Sequence, residues 1–317
     1  MKAVIIKEKG TEPTYSTFKE PVTSGDNVVI NVTASALSNL TKMRAMGKHY
    51  SSDTIYPNVV GTDGVGILNG KRVYFVATNA PFGTLAEKTL INKNLIVPLP
   101  DGIDDETAAA MANPGMSSWA ALVSRANFKV GQTVLINGAT GTAGSLAVKI
   151  AYHLGAKKVI VTGRNLEKLN KLNADSAIAF DVTSADGINQ FTNDLTKECQ
   201  DGIDVVLDYL WGDSALAIMT AIAKFSKNNG TKFVSIGAAS GQADIALPSA
   251  ILRSSKIELL GSGVRSVSME QLLSAIGEVF EWVAKKNVTM DINKFNISEI
   301  TEAWKAPLTP RVVVKVN

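Results

Sequence analysis

One cysteine and two histidines are all that 317 residues offer as thiolate or imidazole metal ligands. Cys199 has no second thiol, so an internal disulfide and a multi-thiolate zinc cluster are both excluded. Excess charge is equally scarce: 32 basic residues face 29 acidic ones, a formal +3, with no block of like charges. Neither nucleic acid nor a membrane surface is an expected partner of such a chain. Long apolar runs are missing too. The opening MKAVIIKEKG is broken by Lys7, Glu8 and Lys9, too short for a secretory signal, and no later stretch approaches a membrane span. A soluble, cytoplasmic protein is expected, and no repeat or low-complexity tract complicates the reading.

Hydrophobic residues make up 45% of the chain, enough for a sizeable core, and the length suggests two domains. The first hundred residues are β-rich. AVIIK, NVVINVTAS, GVGIL and RVYFVA are separated by turn signals at 25–27, 68–72 and 79–83, which favours an irregular barrel-like or sandwich-like domain. The texture changes after Pro100-Asp101-Gly102. DDETAAAMAN reads as a helix that Pro114 interrupts, and GMSSWAALVSRA as its restart. From Thr133 to about Gly263 strands and helices alternate, the pattern of a parallel sheet with right-handed crossovers. A long amphipathic helix around SMEQLLSAIGEVFEWVAKK, a second near ISEITEAWKA and a closing strand RVVVKV follow.

The stretch VLINGATGTAG, 134–144, places Gly138, Gly141 and Gly144 at intervals of three between a strand and a helix. Glycines in that context let backbone amides approach a pyrophosphate at the positive end of a helix. The spacing is G-x-x-G-x-x-G rather than G-x-G-x-x-G, and an ordinary strand-to-helix turn is the competing reading. Thr140, Thr142 and Ala143 complete the candidate loop. Gly155 then ends the helix, and KVIVTG supplies a second strand. That strand ends Thr162-Gly163-Arg164-Asn165, without the carboxylate that would bind an adenine-ribose 2′-hydroxyl. Arg164, with Lys168 one turn on, offers donors suited to a 2′-phosphate and so points to NADPH; a solvated surface arginine is the alternative. Asp181 follows a third strand, and Asp208 reads as a turn or cap residue.

With these residues in view, the chain resembles the zinc-independent, quinone oxidoreductase (zeta-crystallin-like) branch of the medium-chain dehydrogenases/reductases. PNVVGTDGVGIL (57–68), FGTLAEKTLI (82–91), AAAMANPGMSSWAAL (108–122), the glycine loop, IDVVLDYLWG and NGTKFVSIGAASG carry the resemblance over essentially the whole length. It implies an α/β architecture: a GroES-like β-rich catalytic domain from 1–113 and 264–317, and a Rossmann doubly wound parallel sheet at 114–263. At the three positions where zinc-using relatives place cysteine, histidine and cysteine, this chain has Ser38, Thr62 and Asn113, a poor zinc set. Without a Lewis acid, the implied chemistry is hydride delivery from NADPH to a quinone or an α,β-unsaturated carbonyl, an enone or enal.

The resemblance also implies site residues. Tyr50, three positions after Gly47, and His49 are candidate proton donors or orienters, and Ser38, Asn39 and Thr41 lie in the segment that lines the substrate cleft. Loop packing for Tyr50 and local cap hydrogen bonds for the others are the dull alternatives. Asn113 and Ser117 sit where relatives approach the nicotinamide, with helix capping as competitor, and the backbone at Gly237 is expected to face the carboxamide. Trp211 either borders the cleft or is buried core, and Asp63 braces a loop. Tyr15 and Lys19 have the spacing of another reductase class by coincidence, His153 and Tyr152 are structural, and Cys199 is expected on the surface. Three further readings stay open: a 2-enoyl thioester reductase, an RNA-binding or structural protein, and a non-catalytic NADPH sensor. A homodimer joined at the sheet edge within 231–250 is the implied assembly.

Overall fold

The computed structural model describes residues 1–48, 52, 55–76, 78, 80–227 and 230–316. Two compact units divide the chain, Met1–Asn113 with Ile276–Asn317, and Pro114–Ala275. The second division falls inside the helix Met269–Lys286, rather than ahead of it at 263/264.

The first unit is antiparallel for the most part. Its larger sheet runs Ile292–Asn296, Arg311–Lys315, Asn27–Ala36, Asp63–Leu68, Lys71–Val76, Ile96–Pro98, and Lys88–Asn92 also pairs with Asn27–Ala36. Among the described residues of this unit only the pair Ile292–Asn296 with Arg311–Lys315 is parallel. Thr14–Thr17, Lys2–Ile6 and Asn58–Val59 form a smaller sheet. The turn signal at 68–72 makes a two-residue hairpin: Leu68 faces Lys71, and Asn69 and Gly70 both have positive φ, 50° and 76°. Asn-Gly suits that turn because both central residues must be left-handed. Val4, Ile30, Val32, Phe75, Ile91 and Val314 meet in the core.

The second unit is built on six parallel strands in the spatial order Ser176–Ala179, Lys158–Gly163, Thr133–Asn137, Val205–Asp208, Thr231–Ser235, Ile257–Gly261. Numbered along the chain this is 3-2-1-4-5-6, the doubly wound order of a dinucleotide-binding sheet. The central strands TVLIN and VVLD are buried at every position, as expected where helices cover both faces. Direction of winding reverses between Thr133–Asn137 and Val205–Asp208, so a crevice is expected at the carboxyl ends of those two strands.

Several expectations need correction. Pro114 does not interrupt its helix: Asp105–Ala120 runs through it and passes into a wider turn at Ala121–Arg125, closed by Ala126 N–H to the Ala121 carbonyl. Burial of Ala108, Ala109, Ala110, Met111 and Ala112 outweighs the one hydrogen bond that proline removes. Cys199 is fully buried rather than on the surface. It lies on the inner face of the helix Thr196–Asp201, in a core cluster with Leu195 and Ile203, and burial pushes its thiol up to about 12. That helix and its neighbour Ala185–Asp194 are absent from the sequence reading, because SADGINQFTND is polar apart from Phe191 and Ile188. The sheet edge lies at Ile257–Gly261 rather than within 231–250: Thr231–Ser235 is paired on both sides. Among the described residues no helix is long and apolar enough to cross a membrane.

Candidate functional site

The buried strand Thr133–Asn137 delivers the chain to Gly138 at φ 88°, whose N–H, like that of Ala139, donates to the Thr162 carbonyl of the adjacent strand. Gly141 caps the helix Thr142–His153, and the first turn holds no acidic residue. Gly144 lies where the helix crosses the loop. A Cβ there would come within 2.4 Å of the Gly138 oxygen and 2.7 Å of the Ala139 Cα. The helix entrance thus presents backbone rather than side chains, the arrangement that accepts a phosphate. Gly163, ending the second strand, stands against Thr140: a Cβ would lie 3.5 Å from its methyl.

Arg164 and Lys168 are exposed beside that strand end. Asn165 caps the short helix Leu166–Asn170 through the Lys168 N–H at 2.9 Å. Glu167, a carboxylate close by in sequence, pairs with Lys171 at 2.7 Å. Asp181 is exposed and bonded to Thr183, whose donors hold its carboxyl below the usual range. These residues could hold the adenosine end of a dinucleotide and its 2′-phosphate.

Across the switch, one row of side chains ties three strands together. Thr162 donates to the Asn137 Oδ1 at 2.8 Å, and Asn137 Nδ2 donates to Asp208 Oδ1 at 2.8 Å and to Ser214 at 3.0 Å. Asp208 also accepts the N–H groups of Leu210 and Trp211, each at 3.1 Å. The turn reading of Asp208 is right about its backbone partners but misses the row. Its burial pushes the carboxyl up to about 6 against those donors. In the folded chain, then, Asp208 holds a proton over a range where the unfolded chain, near 4, does not. Its contribution to stability is present below about pH 4 and lost as pH rises through about 6, a change of about 3 kcal/mol. Urea unfolding at pH 4, 5, 6 and 7 is expected to show the parent losing that much relative to Asp208→Asn. A difference independent of pH would refute it.

Tyr209 is buried with its hydroxyl 2.7 Å from Ser118, while Ser117 and Ser118 both donate to the Pro114 carbonyl. Ser117, the candidate nicotinamide contact, is therefore engaged locally. Gly237 donates its N–H to the Asp208 carbonyl, and a Cβ there would lie 2.9 Å from the Tyr209 oxygen. Trp211 is half-buried against the core at φ 60°.

In the first unit, Ser38 caps the helix Asn39–Ala45: its oxygen accepts from the Thr41 N–H at 3.0 Å and lies 2.9 Å from the Thr41 hydroxyl. Asn39 is exposed at the start of that helix. Thr62 donates to Asp63 at 2.7 Å, and Tyr74 donates to the other carboxylate oxygen at 2.9 Å. Asp63 is buried, and burial raises its carboxyl against these donors and the charge of Arg311. Ser38 and Thr62, which the sequence resemblance sets at zinc-ligand positions, thus have their hydroxyls committed to neighbours. Asn113 is half-buried. His49 and Tyr50 lie outside the described residues. Asn137, Tyr209, Tyr74 and Arg311 were not singled out from sequence; the available signal was a polar residue closing an apolar strand, as in TVLIN.

Fold and loop together define the class: an α/β chain whose second unit is a doubly wound sheet of the dinucleotide-binding type, entered through a glycine loop. The proteins it is similar to include quinone and enone reductases, as the sequence motifs imply, and short parts of polyketide synthases. A "Probable NADPH-dependent quinone reductase" of Emericella nidulans is 24% identical over 92% of this chain and 93% of its own. An "NADPH-dependent alkenal/one oxidoreductase, chloroplastic" of Arabidopsis thaliana is 31% identical over 59% of this chain, and the match spans 51% of the plant protein. The quinone oxidoreductase of Thermus thermophilus, solved also with NADPH, superposes with a TM-score of 0.79 at 23% identity over all of both chains. No family model matches the sequence.

Proposed function

We propose that the protein is an NADPH-dependent, metal-independent oxidoreductase that reduces quinones or conjugated enones and enals. One observation carries the cofactor half: beside an open glycine cradle, the second strand ends in Arg164 with no carboxylate in position for a ribose hydroxyl. When bound, the dinucleotide supplies the hydride. Backbone amides of Gly141 to Gly144 hold its pyrophosphate, and Arg164 and Lys168 its 2′-phosphate. The names of the fungal and plant relatives support both the cofactor and the acceptor class. Ser38 and Thr62, hydroxyls engaged with Thr41 and Asp63, support the zinc-free reading.

An acceptor already polarised by conjugation needs only hydride at one carbon and a proton at the other end. Tyr50 is assigned the donor role and Ser38 and Asn39 the acceptor contacts, on resemblance alone. A cytoplasmic homodimer joined through the exposed edge strand Ile257–Gly261 completes the reading; Leu259 there is 40% exposed.

Oxidation of NADPH and NADH is followed against a quinone, an enone, an enal and a crotonyl thioester, with and without chelator. Chelator-insensitive turnover of the free carbonyl acceptors with NADPH is the expected result. Preference for the thioester would make it an enoyl thioester reductase, and binding without turnover a sensor. Arg164→Ala is expected to raise the NADPH Kd about tenfold and to leave NADH within about twofold, as loss of a charge-assisted contact should. Equal losses for both cofactors would remove the phosphate role.

A further inference from the structure

The glycine loop fixes the middle of a bound dinucleotide and Arg164 its adenosine end, on the second strand. The other half must then cross the switch, over the carboxyl ends of Val205–Asp208 and Thr231–Ser235. What stands there is a pair of zipped loops. Ile236 and Gly237 donate to the Asp208 carbonyl, Ala239 to that of Tyr209, and Ser240 to that of Leu210. Gln242 closes the zip: its oxygen accepts the Asp213 N–H at 2.8 Å, and its amide donates to the Asp213 carboxylate at 2.7 Å.

The first of these loops holds an unfavourable backbone. Trp211 has φ 60° and ψ −163°, a region that glycine occupies and other residues avoid, and Gly212 follows at φ 70°. A conformation of that kind persists only when its surroundings over-determine it. The group that does so is the Asp208 carboxylate, which takes the N–H of Leu210 on one oxygen and that of Trp211 on both. Asn137 holds the carboxylate in turn and is itself held by Thr162, so the row reaches back to the two strands that carry the glycine loop and the Arg164 corner. Asp208 has no exposed surface, so it touches no ligand itself.

We propose that Asp208 is a positioning residue for the nicotinamide half of the cofactor. Its carboxylate sets the Tyr209–Gly212 turn, and through that turn the 236–242 loop, in the form that receives the ring and its ribose. The inference rests on the NADPH reading above. It assigns to Asp208 an effect on cofactor affinity and placement, and none on the pyrophosphate cradle.

The test is Asp208→Ala, with NADPH affinity read by fluorescence titration and amide exchange read in the free protein. Expected is a Kd and KM for NADPH raised on the order of tenfold, with kcat moving less than about threefold, the scale of one or two lost buried hydrogen bonds. Exchange should quicken in 209–212 and 236–242 and stay unchanged in 133–137 and 158–163. A folded variant that binds NADPH within about twofold of the parent overturns the proposal, as does exchange quickened across the whole sheet. Should the variant fail to fold, exchange in the parent decides: NADPH should protect 209–212 and 236–242, and no protection there overturns the proposal. A parent that binds no NADPH at all overturns the NADPH reading, and this proposal with it. Binding by the parent with either failure above overturns the role of Asp208 alone.

Discussion

Gly144→Ala is expected to weaken dinucleotide binding severely and to destabilise the second unit by about 3 kcal/mol, the upper range for overpacking a rigid site. The added methyl meets backbone on every side, 2.4 Å from the Gly138 oxygen and 2.7 Å from the Ala139 Cα, so no side chain can swing away to admit it. Relief requires the helix Thr142–His153 to lift from the loop. Losing about two charge-assisted amide–phosphate hydrogen bonds in that way should raise the NADPH Kd on the order of 100-fold. Gly141→Ala is the matched control. Its backbone lies at φ −79°, which any residue adopts, and its Cβ would sit 3.5 Å from the Gly138 oxygen, an ordinary contact. It should unfold with the parent and lose binding only modestly. Parent-like NADPH binding by Gly144→Ala, or equal weakening by the two variants, would refute a role for the close crossing at Gly144.

The same loop shows how far the sequence could be read. Three glycines after a strand sufficed to find the cradle, because the constraint is local: a turn, a close crossing and a helix start each leave a mark on neighbouring residues. Strand order was legible in class from the alternation of elements, and the reversal between Thr133–Asn137 and Val205–Asp208 follows from that class. Pairings between distant residues left no such mark. Nothing near Asp208 in sequence announces Asn137, seventy-one positions earlier, as its partner. Cys199 was misplaced for a related reason: flanked by Glu198 and Gln200 it looks solvated, but a helix turns part of its surface inward, and here that part holds Glu198 and Cys199. Pro114 misled because its local penalty is real and the surrounding burial that overcomes it is not local.

Arg311→Leu is expected to cost on the order of 1–3 kcal/mol, because its buried charge acts through space on the buried carboxylate of Asp63. Arg311 is buried at the start of the strand Arg311–Lys315, and two of its guanidinium nitrogens, Nε and Nη2, have no hydrogen-bond partner among the described residues. Burial lowers its pKa while the charge of Asp63 opposes that shift. The charge that favours its cationic form is the carboxylate of Asp63, which Thr62 and Tyr74 hold in place. Remove the cation and that carboxylate stays buried, with two hydroxyl donors and no counter-charge. Burial already raises Asp63, so the variant should also take up a proton at a higher pH than the parent, and its stability should fall as pH rises through that higher value. A pair whose attraction barely offsets its desolvation makes a further prediction. Asp63→Asn combined with Arg311→Leu removes both charges, and should recover most of the loss, because replacing a whole buried pair is often neutral. Chemical denaturation of the two single variants and the double one, across pH 5 to 8, separates the cases. Single losses that simply add in the double variant would mean that Arg311 stabilises the sheet by packing alone, and that Thr62 is held in place without it.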